Sequence, residues 1–575
     1  MPTIAVTEGT PSPAVPSHPL HAVLRRCAIP AVWTAVIAIG AVRLYWTRFT
    51  IYPDAVSYLD LAAAMRDGQW AKGITSYWSL LYPALIAAVL RVTHPMRWHE
   101  VAAAHAANFC IFLAGAIAFA FFWRNFLKEL NHAAEDGPGG APFSWSLIGC
   151  ALYAYTAMTV CTLPNLSPDL LVEALLLTAA ALVLKIKPHR PLLRPMLFLG
   201  IVLGLGYMAK AVVLPLALVF IVVAGWRTGN ARRALSGVVL AVLALGVISA
   251  PYVYAMSRHK GRLTFGDVGH LAYAWYVSWH DMPASCWRGL PPGSGTPVHP
   301  IRVIYSSPEV LDFSSADAGT YPLWFDPAYW NEGLKAPFRL RRQLSVLASN
   351  VAKLLKRTML DQREITLCFA FLLFYIGRRR LAPPGALLLM LVIFAAAGFG
   401  IYSLVLVEQR YLLAFYIFLW AAALAYAAPA LRQDRRLLRA FAACLVLAVM
   451  AVNALAIRYE YEGRNNKDEH VATAEALLAA GIRPGERVGV IGDGWDAGWA
   501  RIAGVRITAQ VPEHEPGMPV SPVATFWAAD EKTRAAALEA MRATGVRAVV
   551  SMREPSLADH GSWKRLSGEK FLLVF

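Results

Sequence analysis

Charged side chains are scarce in this sequence. They make up 16% of its 575 residues, against about 25% in an ordinary soluble domain. Hydrophobic residues reach 57% and mean hydropathy is +0.46, which argues against a solvated globular chain. Cysteine is thin as well: Cys27, Cys110, Cys150, Cys161, Cys286, Cys368 and Cys444 show no CxxC or metal-ligand spacing, and only Cys286 lies clearly in a loop. That pattern speaks against a disulfide framework; no cofactor is indicated, and a divalent metal stays open. No internal repeat runs along the chain, which counts against a transporter built from repeated halves. The glycine turn Gly492-Asp493-Gly494 does not have the GxGxxG spacing of a dinucleotide site and reads as ordinary turn chemistry.

What is present is a series of apolar runs of roughly 20 residues, the length that spans a bilayer. The net charge of +17 sits largely in short clusters between those runs: Lys185, Lys187, Arg190, Arg194; Arg227, Arg232, Arg233; Arg378, Arg379, Arg380; Arg432, Arg435, Arg436, Arg439. Short basic loops mark the cytoplasmic side of a multi-pass membrane protein and meet anionic lipid, so the charge does not point to nucleic acid. Residues 1–24 read as a disordered cytoplasmic tail whose Arg25 and Arg26 boundary begins an uncleaved signal anchor at about 29–46. The run 195–225 has basic clusters at both ends and therefore goes out and comes back. At 1.5 Å per residue its two limbs reach roughly 22 Å of the ~30 Å hydrocarbon layer, leaving Gly204, Gly206 and Lys210 near a recessed apex. One long tilted helix with Lys210 snorkelling is the competing reading, and it inverts all later topology.

With the hairpin in place, every basic loop falls on one side. The expected architecture is mainly α, a polytopic membrane helix bundle of about eleven transmembrane helices over 25–460, with a small C-terminal extracytoplasmic α/β domain over 461–575. Two stretches stay outside the membrane on the far side: 49–100, and a large aromatic-rich loop, 257–360, carrying interfacial helices of its own. Residues 55–67 form an amphipathic helix whose Val56, Leu59, Ala63 and Met65 are expected to face lipid, and the run 79–92 is too short for a full span.

The stretch Tyr52-Pro53-Asp54-Ala55-Val56-Ser57-Tyr58 directly follows the first span, and Trp78-Ser79-Leu80-Leu81-Tyr82-Pro83 follows close behind. Ser167-Pro168-Asp169, Met208-Ala209-Lys210 and Glu408-Gln409-Arg410-Tyr411-Leu412-Leu413 come later on the same predicted face. In their order and placement these motifs resemble the GT-C class of integral-membrane glycosyltransferases. They resemble the branch that holds the aminoarabinose transferases of lipid A, the protein O-mannosyltransferases and the lipopolysaccharide-core galacturonosyl transferases. The resemblance covers roughly residues 25–430. It implies an inner-membrane enzyme with a cytoplasmic N-terminus and a periplasmic C-terminal domain. Such an enzyme moves a sugar from a polyprenyl-phosphate carrier to an envelope glycan, lipid or protein.

On that resemblance Asp54 is the expected general base, although Pro-Asp-Ala-Val-Ser is also a good helix start and capping alone explains a carboxylate there. Ala55 stands where many members carry a second acid, so a metal or paired-carboxylate role is not indicated. Asp169 is expected to orient the acceptor or support Asp54, against the simpler reading of a helix-start acid. Lys72, Lys210 and Arg410 are candidate partners for the lipid phosphate leaving group, with an ion pair to Glu408 the rival role for Arg410. Tyr58, Tyr82, His280, Glu408 and Tyr411 complete the expected substrate-binding set. A flippase for a lipid-linked glycan and a non-catalytic envelope-assembly protein remain the alternatives.

Overall fold

The computed structural model describes residues 19–132, 143–161, 163–279, 287–316, 318–377, 385–463, 469–513, 520–553 and 563–575. His280, the Arg378–Arg380 cluster and residues 1–18 of the expected tail lie outside the described residues.

Eleven helices fall where the apolar runs are: Pro19–Trp46, Glu100–His132, Phe143–Tyr155, Asp169–Lys185, Leu193–Ala209, Val213–Trp226, Ala231–Lys260, Arg363–Ile376, Ala386–Ser403, Leu413–Gln433 and Arg435–Gly463. Seven stretches among the described residues are long and apolar enough to cross a membrane, and the chain is a multi-pass membrane protein. The expected figure of about eleven crossings is not thereby fixed, because several helices are short. Leu193–Ala209 and Val213–Trp226, 17 and 14 residues, reach only ~25 and ~21 Å. They are the two limbs of the predicted hairpin. The break lies at Lys210, which is extended (φ −158°) between them. Gly206 makes the tight return possible, since a Cβ there would stand 2.8 Å from a Val213 methyl.

The basic inter-helix loops collect at one end of the bundle. There Glu129 accepts from Lys187 and from Arg227, while Arg432 donates to the Leu130 carbonyl and Arg233 to that of Arg190. The residues singled out around Asp54 occupy the opposite end.

Helix Pro53–Arg66 departs from expectation. Val56, Leu59 and Met65 are buried against protein, not lipid, and Ala63 is half-buried. The helix packs on Leu81–Thr93, with Trp324 and Phe325 of the large loop against it. Sequence could not separate these cases, because lipid tails and protein cores ask for the same apolar residues. The 257–360 loop does carry an amphipathic helix, Leu340–Lys356, exposing Leu340, Leu344 and Leu355 beside its basic residues.

The second departure is in the sheet. Five strands follow the last long helix: β3 Arg487–Ile491, β4 Arg506–Val511, β5 Val546–Ser551, β6 Lys564–Arg565 and β7 Phe571–Val574. Two more, β1 Arg302–Ser306 and β2 Glu309–Asp312, come from the large loop. The order is β1-β2-β4-β3-β5-β7-β6, with a parallel centre (β4, β3, β5) and antiparallel edges. Leu311 and Asp312 pair with Gln510 and Ala509. The α/β unit is therefore shared between the loop and the C-terminal region.

Candidate active site

Asp54 stands at the second position of helix Pro53–Arg66, where a carboxylate suits the helix dipole. Its side chain makes no capping bond; the cap residue is Tyr52, and no side chain caps this end. Instead Asp54 Oδ2 accepts from Arg410 Nη2 at 2.7 Å, and Oδ1 from the Trp324 indole at 3.2 Å. Asp169 likewise opens its helix without capping it. Its Oδ1 takes Lys210 Nζ at 2.6 Å, and its Oδ2 takes Ser167 Oγ at 2.8 Å and faces Arg410 Nε at 3.7 Å.

Arg410 thus bridges the two carboxylates through different nitrogens. It lies on the short turn Gln409–Leu412, with Tyr411 beside it. The Lys210 ammonium sits 3.4 Å from the centroid of the Tyr411 ring, a cation–π contact. Four elements far apart in sequence converge: two helix starts, a hairpin apex and a turn. Asp169 is 3% exposed, while Asp54, Lys210 and Arg410 are 24%, 22% and 25% exposed. One acid is held inside; the other acid and both cations remain reachable from solvent.

Tyr58, one turn after Asp54, packs edge-on against Trp78 and Tyr82 at 4.9 and 5.0 Å between ring centroids. Tyr82 is fully buried and its hydroxyl reaches Asn108 at 3.4 Å, so it backs Tyr58 and does not line the opening. Two of the expected cluster members stand elsewhere. Glu408 pairs with Arg357 at 3.2 Å, not with Arg410. Lys72 lines a separate cavity around Asp60.

Sequence reading missed Trp324. It was visible only as one aromatic of Tyr321-Pro322-Leu323-Trp324-Phe325. In place it donates to Asp54, meets Trp78 edge-on at 5.5 Å and stacks on Trp495 at 4.5 Å. Trp495 follows the Gly492-Asp493-Gly494 turn, so the sheet unit reaches the aromatic roof over the acid cluster.

A second charged network docks that unit. Arg501 pairs with Asp60 at 3.0 Å and with Glu100 at 2.6 Å; Arg66 also holds Glu100 at 2.6 Å. Asp60 further accepts from the Thr320 N–H and hydroxyl at 2.6 and 2.9 Å. Burial pushes the Asp60 carboxyl above its usual range against the pull of Arg501 and Thr320. Arg501→Ala leaves two buried acids with too little positive charge. It is expected to cost about 3–5 kcal/mol, read as a lower thermal unfolding midpoint of the purified protein.

Among the described residues no group of three or more His, Cys, Asp or Glu side chains is placed to hold a metal ion.

No family model matches this chain, and no curated protein matches it in sequence. Solved structures do. The crystal structure of ArnT from Cupriavidus metallidurans in the apo state aligns with a TM-score of 0.53 at 12% identity, covering 94% of this chain and 97% of that one. The same protein bound to undecaprenyl phosphate aligns with a TM-score of 0.53 at 12% identity, covering 95% and 97%. The oligosaccharyltransferase of Archaeoglobus fulgidus, in complex with Zn and sulfate, is more distant, with a TM-score of 0.45 at 12% identity over 90% of this chain and 67% of that one. The fold is the GT-C type that the motifs resemble.

Proposed function

We propose that the chain is an inverting membrane glycosyltransferase, using a polyprenyl-phosphate sugar to glycosylate an envelope glycan, lipid or protein at the outer face of the inner membrane. One observation carries this reading: a reachable carboxylate, Asp54, shares a single cluster with two reachable cations, Lys210 and Arg410, in a chain with the ArnT fold. One ArnT structure is described as bound to undecaprenyl phosphate, which favours a donor of that class.

In this mechanism Asp54 takes the proton of an acceptor hydroxyl as its oxygen bonds to the anomeric carbon. The bond from that carbon to the phosphate oxygen breaks on the opposite face, inverting the centre. The leaving polyprenyl phosphate gains negative charge, and Arg410 and Lys210 stand ready to hold it. Asp169 keeps both cations at their posts. Tyr58 and Tyr411 flank the acid and the cations, and the aromatic roof through Trp324 and Trp495 keeps water from the donor.

The test is donor-dependent product formation by the purified protein in lipid nanodiscs. A labelled polyprenyl-phosphate sugar is supplied with an envelope extract as acceptor source. Labelled glycoconjugate with release of polyprenyl phosphate is the expected result. Donor that is bound or flipped across the bilayer without any transfer would point to the transport or assembly alternatives.

A further inference from the structure

Less than two turns along helix Pro53–Arg66 from Asp54, around Asp60, lies a cavity of about 300 Å³. Its walls come from that helix, from Arg97, from the Ala318–Thr320 segment with Phe325, and from Arg501, Gly504 and Arg506 of the sheet unit. Three carboxylates line it, and each is already matched: Asp60 by Arg501, Asp67 by Arg66, and Glu100 by both arginines. The side chains of Lys72 and Arg97 also line it, and neither side chain has an ion pair or hydrogen bond with any described residue. The cavity therefore carries positive charge in excess.

The position of Arg97 is shaped by its surroundings. Its guanidinium lies over Gly504, whose φ is +74°, and a Cβ on Gly504 would fall 1.6 Å from Arg97 Nη1. Any side chain at residue 504 would evict the arginine. The sheet unit thus leaves room for a cation that meets no anion among the described residues.

The cavity is polar and near the lower limit of ligand-pocket size, about 300–1,000 Å³. A polyprenyl chain would find little apolar wall there; a single charged group fits. The wall is also tied to the acid cluster. Thr320 bonds Asp60, and Trp324, four residues on, bonds Asp54. Four residues span at most roughly 14 Å, so an anion in the cavity sits within a short glycan's reach of Asp54.

We propose that this cavity is an acceptor subsite for an oxyanion, a phosphate or carboxylate carried by the acceptor close to the hydroxyl that is glycosylated. The assignment of the anion to an acceptor rests on the transferase reading above; the anion site itself does not. It gives Lys72 a role distinct from holding the donor phosphate, and it makes net negative charge a condition of acceptor choice.

The experiment titrates full-length protein in nanodiscs with inorganic phosphate and, separately, with free glucuronate, following binding by calorimetry. Saturable binding of at least one probe is expected. It should weaken tenfold or more in the Lys72→Gln/Arg97→Gln double variant, recover partly with Arg97→Lys, and persist in Arg410→Gln. Both substituted residues are exposed, so an unchanged unfolding midpoint certifies the fold. The proposal is overturned by absence of saturable binding of either probe, by equal binding in the double variant, or by loss in Arg410→Gln alone. Which probe binds distinguishes a phosphorylated from an acidic-sugar acceptor. Because the readout is binding, a site that behaves as stated in a protein that never forms labelled product would sink the transferase reading and leave the anion site standing.

Discussion

Asp54→Asn is expected to lower kcat for sugar transfer by about 10² to 10⁴, the usual worth of a positioned general base. Asparagine keeps the shape of the side chain and an oxygen for the Trp324 indole, but gives up the negative charge and the ability to take a proton. The substitution isolates chemistry from folding, because Asp54 makes no capping bond that the helix would miss. Its partner Arg410 also retains Asp169 as a second anchor. Initial rates at saturating donor and acceptor, with the unfolding midpoint measured alongside, provide the check. Full activity in a normally folded Asp54→Asn protein would remove the base from the mechanism. Asp169→Asn should behave differently: its carboxyl is almost closed to solvent, so it acts by holding Lys210 and Arg410 in place.

The second large effect is expected at Arg410. Arg410→Gln should reduce kcat by about 10² to 10³, the loss seen when one preorganised donor to a developing charge is removed. Arg410→Lys should restore little of it. The guanidinium meets Asp54 through Nη2 and Asp169 through Nε at once, a bridge that a single ammonium cannot make. Substrate binding separates two causes of the defect. If Arg410 acts on the leaving phosphate, the loss appears mainly in kcat; if it only positions Asp54, Asp54→Asn and the double variant should be equally slow. A rate for Arg410→Gln within a few-fold of the parent would exclude both roles.

The bundle was legible because membrane spans announce themselves by length and because basic loops orient them. Once 195–225 was read as a hairpin, Lys210 had to lie on the side of Asp54 and Asp169, and Arg410 followed from the loops on either side of it. The convergence of these four residues came from that arithmetic, not from any one motif. Pairing within the cluster was not legible. Glu408 and Arg410 are two residues apart, and their side chains diverge to Arg357 and to Asp54. Nothing in composition distinguishes a tryptophan that stacks on a sugar from one whose N–H is committed to a carboxylate, so Trp324 went unrecognised. The strands of the loop escaped for another reason. Arg302–Ser306 and Glu309–Asp312 are five and four residues long, and alternation over so few positions is a weak signal. Their partner strand lies far away in the chain.

That separation bears on how the molecule is made. The loop hairpin leaves the ribosome with its outer edge unpaired, and Ala509, which β2 pairs with, follows roughly 200 residues later. At about 5–20 residues per second the wait is on the order of 10–40 seconds. Throughout it the nascent edge offers open backbone groups to any stray strand while four further apolar helices are still being threaded into the bilayer. Biogenesis of this protein thus includes an interval in which a holdase has something definite to protect.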